Sequence, residues 1–494
     1  MICPLRRRRC SAPCVADACG RKCGELSGGK RLTKPTRASI QLEAGRALAD
    51  GARAWSDGDV DAAVSGFSRA ALLNPGMPLA HMNLGVALRR QGKVAAALAS
   101  YRRALALGGA DPALHSNMGN ALREAGELIE AEGFLRQAAA AQPENASFAY
   151  NLALLLRDRR QHAEARAILA KLAADHPDSG DYAWDLALSD LYLQDYEAGF
   201  AGYEARWRLA RSPERKFEGT RWLPGADITG KTVLVTAEQG FGDALQFARF
   251  LPVLAGKGAR LVVECQPELL DLFGAIAGVN AVVPKGAPPP PYDLWTPIMS
   301  LAWLLGTTMQ TIPVQLPYLR PPRALTSHLG RPPGTVLNVG LIWAGKTTPR
   351  DRSWPFDKLM PLLSDPRVAV WSLQMGERAA DLATHGASGL VRDLAPLIGS
   401  FGDTAALMAE LDLIITIDTS AAHLAGALGK PVWMLLRYVS DWRWLDEGEG
   451  SAWYPTMRMF RQADPFDFEG PVARMAEMLK AVADKRAGPP KAPA

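Results

Sequence analysis

The sequence predicts an α + α/β protein: an α-helical repeat solenoid followed by a two-lobed, Rossmann-like unit of parallel sheets. Three observations predict it. Small and large residues recur every 34 positions over residues 45–207. Short Val/Ile/Leu runs alternate with helical segments from about residue 230, and a proline-rich stretch at 311–334 divides that second half. A chain of 494 residues needs two or three cores. Its 48% hydrophobic and 22% charged residues are the balance of a soluble globular protein, and no apolar run approaches the roughly 18 residues that span a bilayer.

The first 40 residues read as a disordered basic tail. Arg6 to Arg9, Arg21, Lys22, Lys30, Arg31, Lys34 and Arg37 take up much of the net charge of +5, so the remainder is near neutral, which excludes a general nucleic-acid binder. Cys3, Cys10, Cys14, Cys19 and Cys23 also lie there, leaving Cys265 alone in the body and excluding a disulfide-stapled fold. Their spacing lacks the paired C-x2-C of structural zinc sites, so no metal is expected. No apolar segment of about 7–15 residues follows the basic start, so no secretory signal is expected and a cytoplasmic location follows.

Residues 41–212 form the repeat array. Gly51, Gly85, Gly119, Ala153 and Ala187 fall in one column, and Gly58, Gly92 and Gly126 in a second. Ala63, Ala97, Ala131, Ala165 and Gly199 make a third, with Phe67, Tyr101, Leu135, Leu169 and Tyr203 in a fourth. Such columns describe antiparallel helix pairs, small residues marking the close crossings and large ones filling the space between rows. The pattern resembles the tetratricopeptide repeat over about four repeats and part of a fifth, which implies a concave groove for a peptide or partner protein. Asn83, Asn117 and Asn151, followed by Asp185, recur on the first helix of each pair. Their amides suit an extended peptide backbone, although asparagine is also simply common at this position of the repeat.

In the second half, strands are expected at Lys231–Ala237, Arg260–Glu264, Ala281–Pro284, Val336–Ala344, Val368–Gln374, Leu411–Asp418 and Val432–Leu436. Residues 213–325 and 326–480 then form two lobes with a ligand cleft between them, and 481–494 a second disordered tail.

Three loops follow strand ends. The first, Glu238-Gln239-Gly240-Phe241-Gly242-Asp243, precedes a helix expected from Ala244 to Leu254; its glycines allow close approach to an anion, and Asp243 is equally placed to cap the helix. The second, Trp343 to Trp354, gathers Lys346, Thr347, Thr348, Arg350, Arg352 and Ser353, a set suited to a diphosphate or to a solvated turn. The third, Asp418-Thr419-Ser420-Ala421-Ala422-His423, offers hydroxyls to cap the next helix, free backbone N–H groups, and a histidine on its first turn.

Together the GxGD loop, the basic loop and the Asp-Thr-Ser-x-x-His-Leu-Ala-x-x-x-Gly-x-Pro segment resemble the lipopolysaccharide heptosyltransferases of glycosyltransferase family 9. With the repeats, the chain is similar to bacterial relatives of the O-linked N-acetylglucosamine transferases, over about residues 45–480. The resemblance implies a GT-B fold, with an acceptor-side first lobe and a nucleotide-sugar-side second lobe. It also implies a metal-independent inverting transfer with no cofactor beyond the nucleotide-diphosphate sugar. By carry-over, Asp243 is the general base. Gly240, Gly242, Lys346, Thr347, Arg352, Asp418, Thr419, Ser420 and His423 hold the donor, and the array recruits a protein or glycan acceptor. The block Asp441-Trp442-Arg443-Trp444 and the segment Ser451–Pro455 depart from the heptosyltransferases and look like the repeat-bearing relatives; their tryptophans line the cleft or pack the core.

Two competing readings are a catalytically inactive scaffold with a degenerate transferase fold and a sugar-nucleotide epimerase. Asp243, Lys346 and His423 standing together weigh against the first. A fused repeat array, which an epimerase has no acceptor to need, weighs against the second.

Overall fold

The computed structural model describes residues 36–488, except residues 110, 211, 213–216, 326–327 and 349–350. The basic, cysteine-bearing stretch 1–35 therefore lies outside the described residues, as do Arg350 and 489–494. Both tail boundaries need correcting. A helix, Arg37–Ser56, starts inside the first expected tail, with Thr36 Oγ1 accepting from Ser39 N–H. The last helix, Glu469–Ala487, runs seven residues past 480 and buries Ala483 against the second lobe.

Ten α-helices build the array among the described residues, from α1 (Arg37–Ser56) through α2 (Val60–Leu73), α3 (Pro78–Arg90), α4 (Val94–Ala106), α5 (Pro112–Ala125), α6 (Leu128–Ala141), α7 (Ala146–Asp158), α8 (His162–Asp175) and α9 (Gly180–Tyr192) to α10 (Tyr196–Gly202). The two principal columns meet in space. A Cβ on Gly51, Gly85 or Gly119 would lie 2.7, 2.4 or 2.5 Å from the side chains of Phe67, Tyr101 or Leu135, so each large residue seats on the bare backbone of its partner helix.

The column of Gly58, Gly92 and Gly126 makes the turn within each pair, at φ +82°, +76° and +87°. It continues as Arg160 and Gln194, at φ +62° and +66°. A left-handed conformation costs a non-glycine residue about 1–2 kcal/mol. The Arg160 side chain reaches across the domain junction, where its guanidinium lies 4.0 Å from the Tyr438 ring centroid and donates to the Tyr438 carbonyl at 2.7 Å.

The α/β half holds two parallel sheets. The first contains β1 (Thr220–Arg221), β2 (Thr232–Thr236), β3 (Arg260–Cys265), β4 (Val279–Pro284) and β5 (Leu294–Pro297), in the order β1-β5-β2-β3-β4. The second contains β6 (Leu337–Leu341), β7 (Val368–Ser372), β8 (Val391–Asp393), β9 (Leu413–Ile417), β10 (Val432–Leu436) and β11 (Met457–Arg461), in the order β11-β10-β9-β6-β7-β8. In each, the order reverses beside the first main strand, between β2 and β5 and between β6 and β9. Crevices for ligands open at such switch points, outside the carboxyl ends of the strands.

One apolar core runs from the array into both lobes, joining Tyr196 and Phe200 of α10 to Phe247 of the first lobe and Trp442 and Trp453 of the second. The proline-rich connection packs against the second lobe, where the Tyr318 and Leu319 N–H groups donate to the Ala427 carbonyl at 3.1 and 3.3 Å. No helix is long and apolar enough to cross a membrane among the described residues.

Candidate functional site

The loops after β2, β6, β7, β8, β9 and β10 converge on one cleft of about 680 Å³ between the lobes. Gly240, Gly242, Asp243, Lys346, Arg352, Asp418, Thr419, Ser420 and His423 all line it. Thr347 does not; it is exposed outside the cleft wall.

The helix after β2 begins at Phe241, three residues before the expected start, and ends at Phe247. Asp243 is thus the third helical residue, not its cap. One carboxylate oxygen accepts from the Gly240 N–H at 3.1 Å, and the other accepts from Arg443 Nη2 at 2.7 Å. Arg443 also donates to Asp441 at 2.8 Å and to Gln246 Oε1. Burial works against the Arg443 charge, but Asp441 and Asp243 outweigh it and raise its pKa above the ordinary value.

Across the cleft, the helix Ser420–Ala427 starts after Thr419, which makes no side-chain cap; its hydroxyl turns back to the Ile417 carbonyl at 3.5 Å. The expected hydroxyl cap is therefore absent; the Ala422 N–H donates to the Thr419 carbonyl at 3.0 Å, and Ser420 and Ala421, ahead of it, line the cleft. A Cβ on Gly345 would come within 2.9 Å of Thr419 Cγ2, and one on Gly242 within 2.9 Å of His423 Cδ2. Glycine at these two positions is what lets the three loops close on one another.

The cations divide by partner. Arg352 donates to Asp418 at 3.1 Å; burial pushes the Asp418 carboxyl up, and Arg352 opposes the shift. Asp418 therefore anchors Arg352. Lys346 is exposed, lines the cleft and makes no ion pair among the described residues. His423 is neutral: burial, reinforced by Arg443, Arg249 and Arg352, holds its imidazole well below the ordinary range.

Sequence reasoning missed part of the wall. Trp184 and Leu188 of α9 and Tyr203 just beyond α10 line the cleft, with the Trp184 and Tyr203 ring centroids 4.4 Å apart. Trp184 precedes Asp185, the residue that continues the column of Asn83, Asn117 and Asn151, none of which lines the cleft. Its members differ. Asn151 donates to Ser116 Oγ at 3.0 Å, and Asp185 is taken by Tyr150 and Arg157. Asn83 and Asn117 are half-buried without an intramolecular amide bond among the described residues. The Asp441–Trp444 block does both things open to it: Asp441, Trp442 and Arg443 line the cleft, while Trp442 and Trp444 are buried in the core. Gln374, also missed, holds the loop after β6 by accepting from the Trp343 and Ala344 N–H groups at 3.1 and 2.8 Å. No group of three or more His, Cys, Asp or Glu side chains suited to a metal occurs among the described residues.

Residues 40–112 and 122–188 match tetratricopeptide repeat models, and residues 342–444 match the glycosyltransferase family 9 (heptosyltransferase) model. Protein FlbA of Caulobacter vibrioides is 29% identical over 316 residues, covering 57% of this chain and 52% of FlbA, so the match spans about half the length of that relative. Among solved structures, YrrB, a TPR protein described as having an unusual peptide-binding site, is 15% identical with a TM-score of 0.29, over 33% of this chain and 82% of its own. Pseudomonas aeruginosa pilF is 20% identical with a TM-score of 0.31, over 36% and 79%. The chain joins a tetratricopeptide-repeat array to a parallel α/β unit whose residues 342–444 are similar to the family 9 glycosyltransferases.

Proposed function

We propose that the protein is a GT-B glycosyltransferase that moves a sugar from a nucleotide-diphosphate donor to an acceptor brought by the repeat array, with inversion and without a metal. One observation carries this: a single cleft holds a carboxylate at one switch point, and an unpaired lysine beside an uncapped helix end at the other. The diphosphate lies against Lys346 and the N–H groups of Ser420 and Ala421 at the start of the Ser420 helix, which stabilise the leaving charge. Asp243, opposite, takes the acceptor hydroxyl proton as the acceptor attacks the anomeric carbon from the face away from the diphosphate. Adding UDP, GDP or ADP should raise the melting temperature, since a ligand at 100 times its Kd contributes about 2.7 kcal/mol. No shift with any of the three would remove the donor site.

The acceptor enters on the repeat side, where Trp184, Leu188 and Tyr203 form a wall beside Asp243 and the open amides of Asn83 and Asn117 lie further along the array. Trp184→Ala is expected to raise the acceptor KM roughly tenfold, the loss of about 1.4 kcal/mol of contact. It should leave the nucleotide-induced thermal shift unchanged; an unaltered KM would take the array wall out of acceptor binding. The Arg443 clamp on Asp243 favours a second reading, a scaffold that binds nucleotide without turnover. Transfer assays with the donor that shifts melting most separate the two.

A further inference from the structure

His423 is held at one ring nitrogen and open at the other. Its Nδ1 lies 2.9 Å from the Tyr454 hydroxyl, and Nε2 has no protein partner among the described residues. The residue is 5% exposed, and it lines the cleft. A Cβ on Gly242 would stand 2.9 Å from Cδ2 and 3.4 Å from Nε2, so the Cδ2–Nε2 edge faces the loop that carries Asp243. A neutral imidazole keeps one proton, and its position decides whether this open edge presents a donor or a lone pair.

The neighbours of Tyr454 decide the position. Tyr318 accepts from Arg249 Nη2 at 3.2 Å and donates its own proton to the Leu245 carbonyl at 3.0 Å. Tyr454, 3.4 Å from the Tyr318 oxygen and 2.9 Å from His423 Nδ1, is left with one proton and one short acceptor, the imidazole. Burial holds the Tyr454 phenol well above its ordinary pKa, so that proton stays on oxygen. Arg249 fixes the ring. Its Cζ is 4.6 Å from the Tyr454 centroid, and its donors are taken by the carbonyls of Gln246, Pro313 and Trp453 at 2.8, 3.3 and 2.8 Å.

We propose that Tyr454, seated on Arg249, fixes His423 as the Nε2–H tautomer, so that its open edge donates a hydrogen bond to an anionic oxygen at the start of the Ser420 helix. Tyr454 and Arg249 are positioning residues in this arrangement. The opposite tautomer would turn a lone pair toward that oxygen and repel it, suiting a hydroxyl instead. The anion is a phosphate oxygen of the donor, and this clause rests on the nucleotide-diphosphate reading above; the tautomer itself does not.

Nitrogen NMR on the full chain labelled with 15N-histidine tests both parts, with His423→Gln identifying the signal of His423 among the seven histidines. The wild type should show a one-bond N–H correlation at Nε2 of His423, and a proton found at Nδ1 would overturn the proposal. Tyr454→Phe should convert the fixed tautomer to a mixture; an unchanged Nε2–H in a folded variant also overturns it. Should Tyr454→Phe not fold, Arg249→Lys, which keeps the charge but loses the planar fork, is expected to loosen the same tautomer. UDP, GDP and ADP are then added in turn to the wild type. The nucleotide that raises the melting temperature should move the His423 Nε2 resonance. A thermal shift with Nε2 unmoved sinks this inference and spares the donor site, whereas a fixed Nε2–H with no thermal shift from any nucleotide sinks the donor site and its anion while the tautomer stands.

Discussion

Asp243→Asn is expected to lower sugar transfer by about 10²- to 10⁴-fold, the range general-base removal produces, while leaving the nucleotide-induced thermal shift in place. The substitution preserves shape. An Asn carbonyl can still accept from Arg443 Nη2, now 2.7 Å from the carboxylate, so the clamp and the cleft wall persist. The other side changes sign, because the amide NH2 would confront the Gly240 N–H that the carboxylate accepts at 3.1 Å. Losing that helix-start bond costs about 0.5–2 kcal/mol, which denaturation would register separately from activity. Transfer at the wild-type rate would remove Asp243 from the chemistry. Loss of the nucleotide response together with transfer would mean that the substitution had reshaped the cleft and left the base untested, so the two measurements belong in one experiment. Because both oxygens are engaged from the protein side, the proposed step would leave only the outward lone pairs to reach an acceptor hydroxyl.

The parts legible in the sequence are those whose physics is local. The 34-residue period was readable because Gly51 and Phe67, or Gly85 and Tyr101, contact each other within one repeat, so close packing imposes the same spacing on every row. The same locality hid the exceptions, since Arg160 and Gln194 carry the left-handed turn without glycine to mark it. Long buried strands such as Leu413–Ile417 declare themselves as apolar runs. The edge strands Thr220–Arg221, Val391–Asp393 and Met457–Arg461 do not, being very short or half-polar at the rim of a sheet. The cleft followed the same rule. Loops after β2, β6 and β9 were readable because strand ends are where parallel sheets bind ligands. Trp184, Leu188 and Tyr203 were not, because whether a helix residue faces a cleft in another domain depends on how the array docks, which no spacing records. The pairing of Arg443 with Asp243, 200 residues apart, is likewise a product of docking two lobes.

Where the array meets the first lobe, the shared apolar core is joined by a buried charge cluster whose disruption should be the costliest single change for stability. Arg206, just beyond α10 and with its side chain 3% exposed, donates to Glu238 at 2.9 Å, to Glu204 at 2.6 Å and to Ser300 Oγ at 2.8 Å. Burial works against its charge, but Glu238 and Glu204 outweigh it and raise its pKa. Arg206→Met fills similar space yet leaves the buried Glu238 carboxylate without its cation, while Glu204 keeps Arg221 and Ser300; losing one partner of a buried pair is a change of the kind that costs about 3–5 kcal/mol. The deficit should depend on pH in a definite sense. Burial already pushes the Glu238 carboxyl up with Arg206 beside it, and removing the cation pushes it further. A carboxyl whose folded-state pKa exceeds its unfolded value binds its proton more readily in the fold, so the variant gains stability relative to wild type as pH falls from 8 to 5. Adding Glu238→Gln to Arg206→Met should recover part of the loss at pH 8 and flatten the pH response, because the neutral amide no longer needs a cation. Since Glu238 opens the loop that ends in Asp243, transfer should fall in Arg206→Met even under conditions where the chain remains folded. A deficit below about 1 kcal/mol that is the same at pH 5 and pH 8 would show that the array and the α/β unit are held by their shared apolar core and not by this cluster.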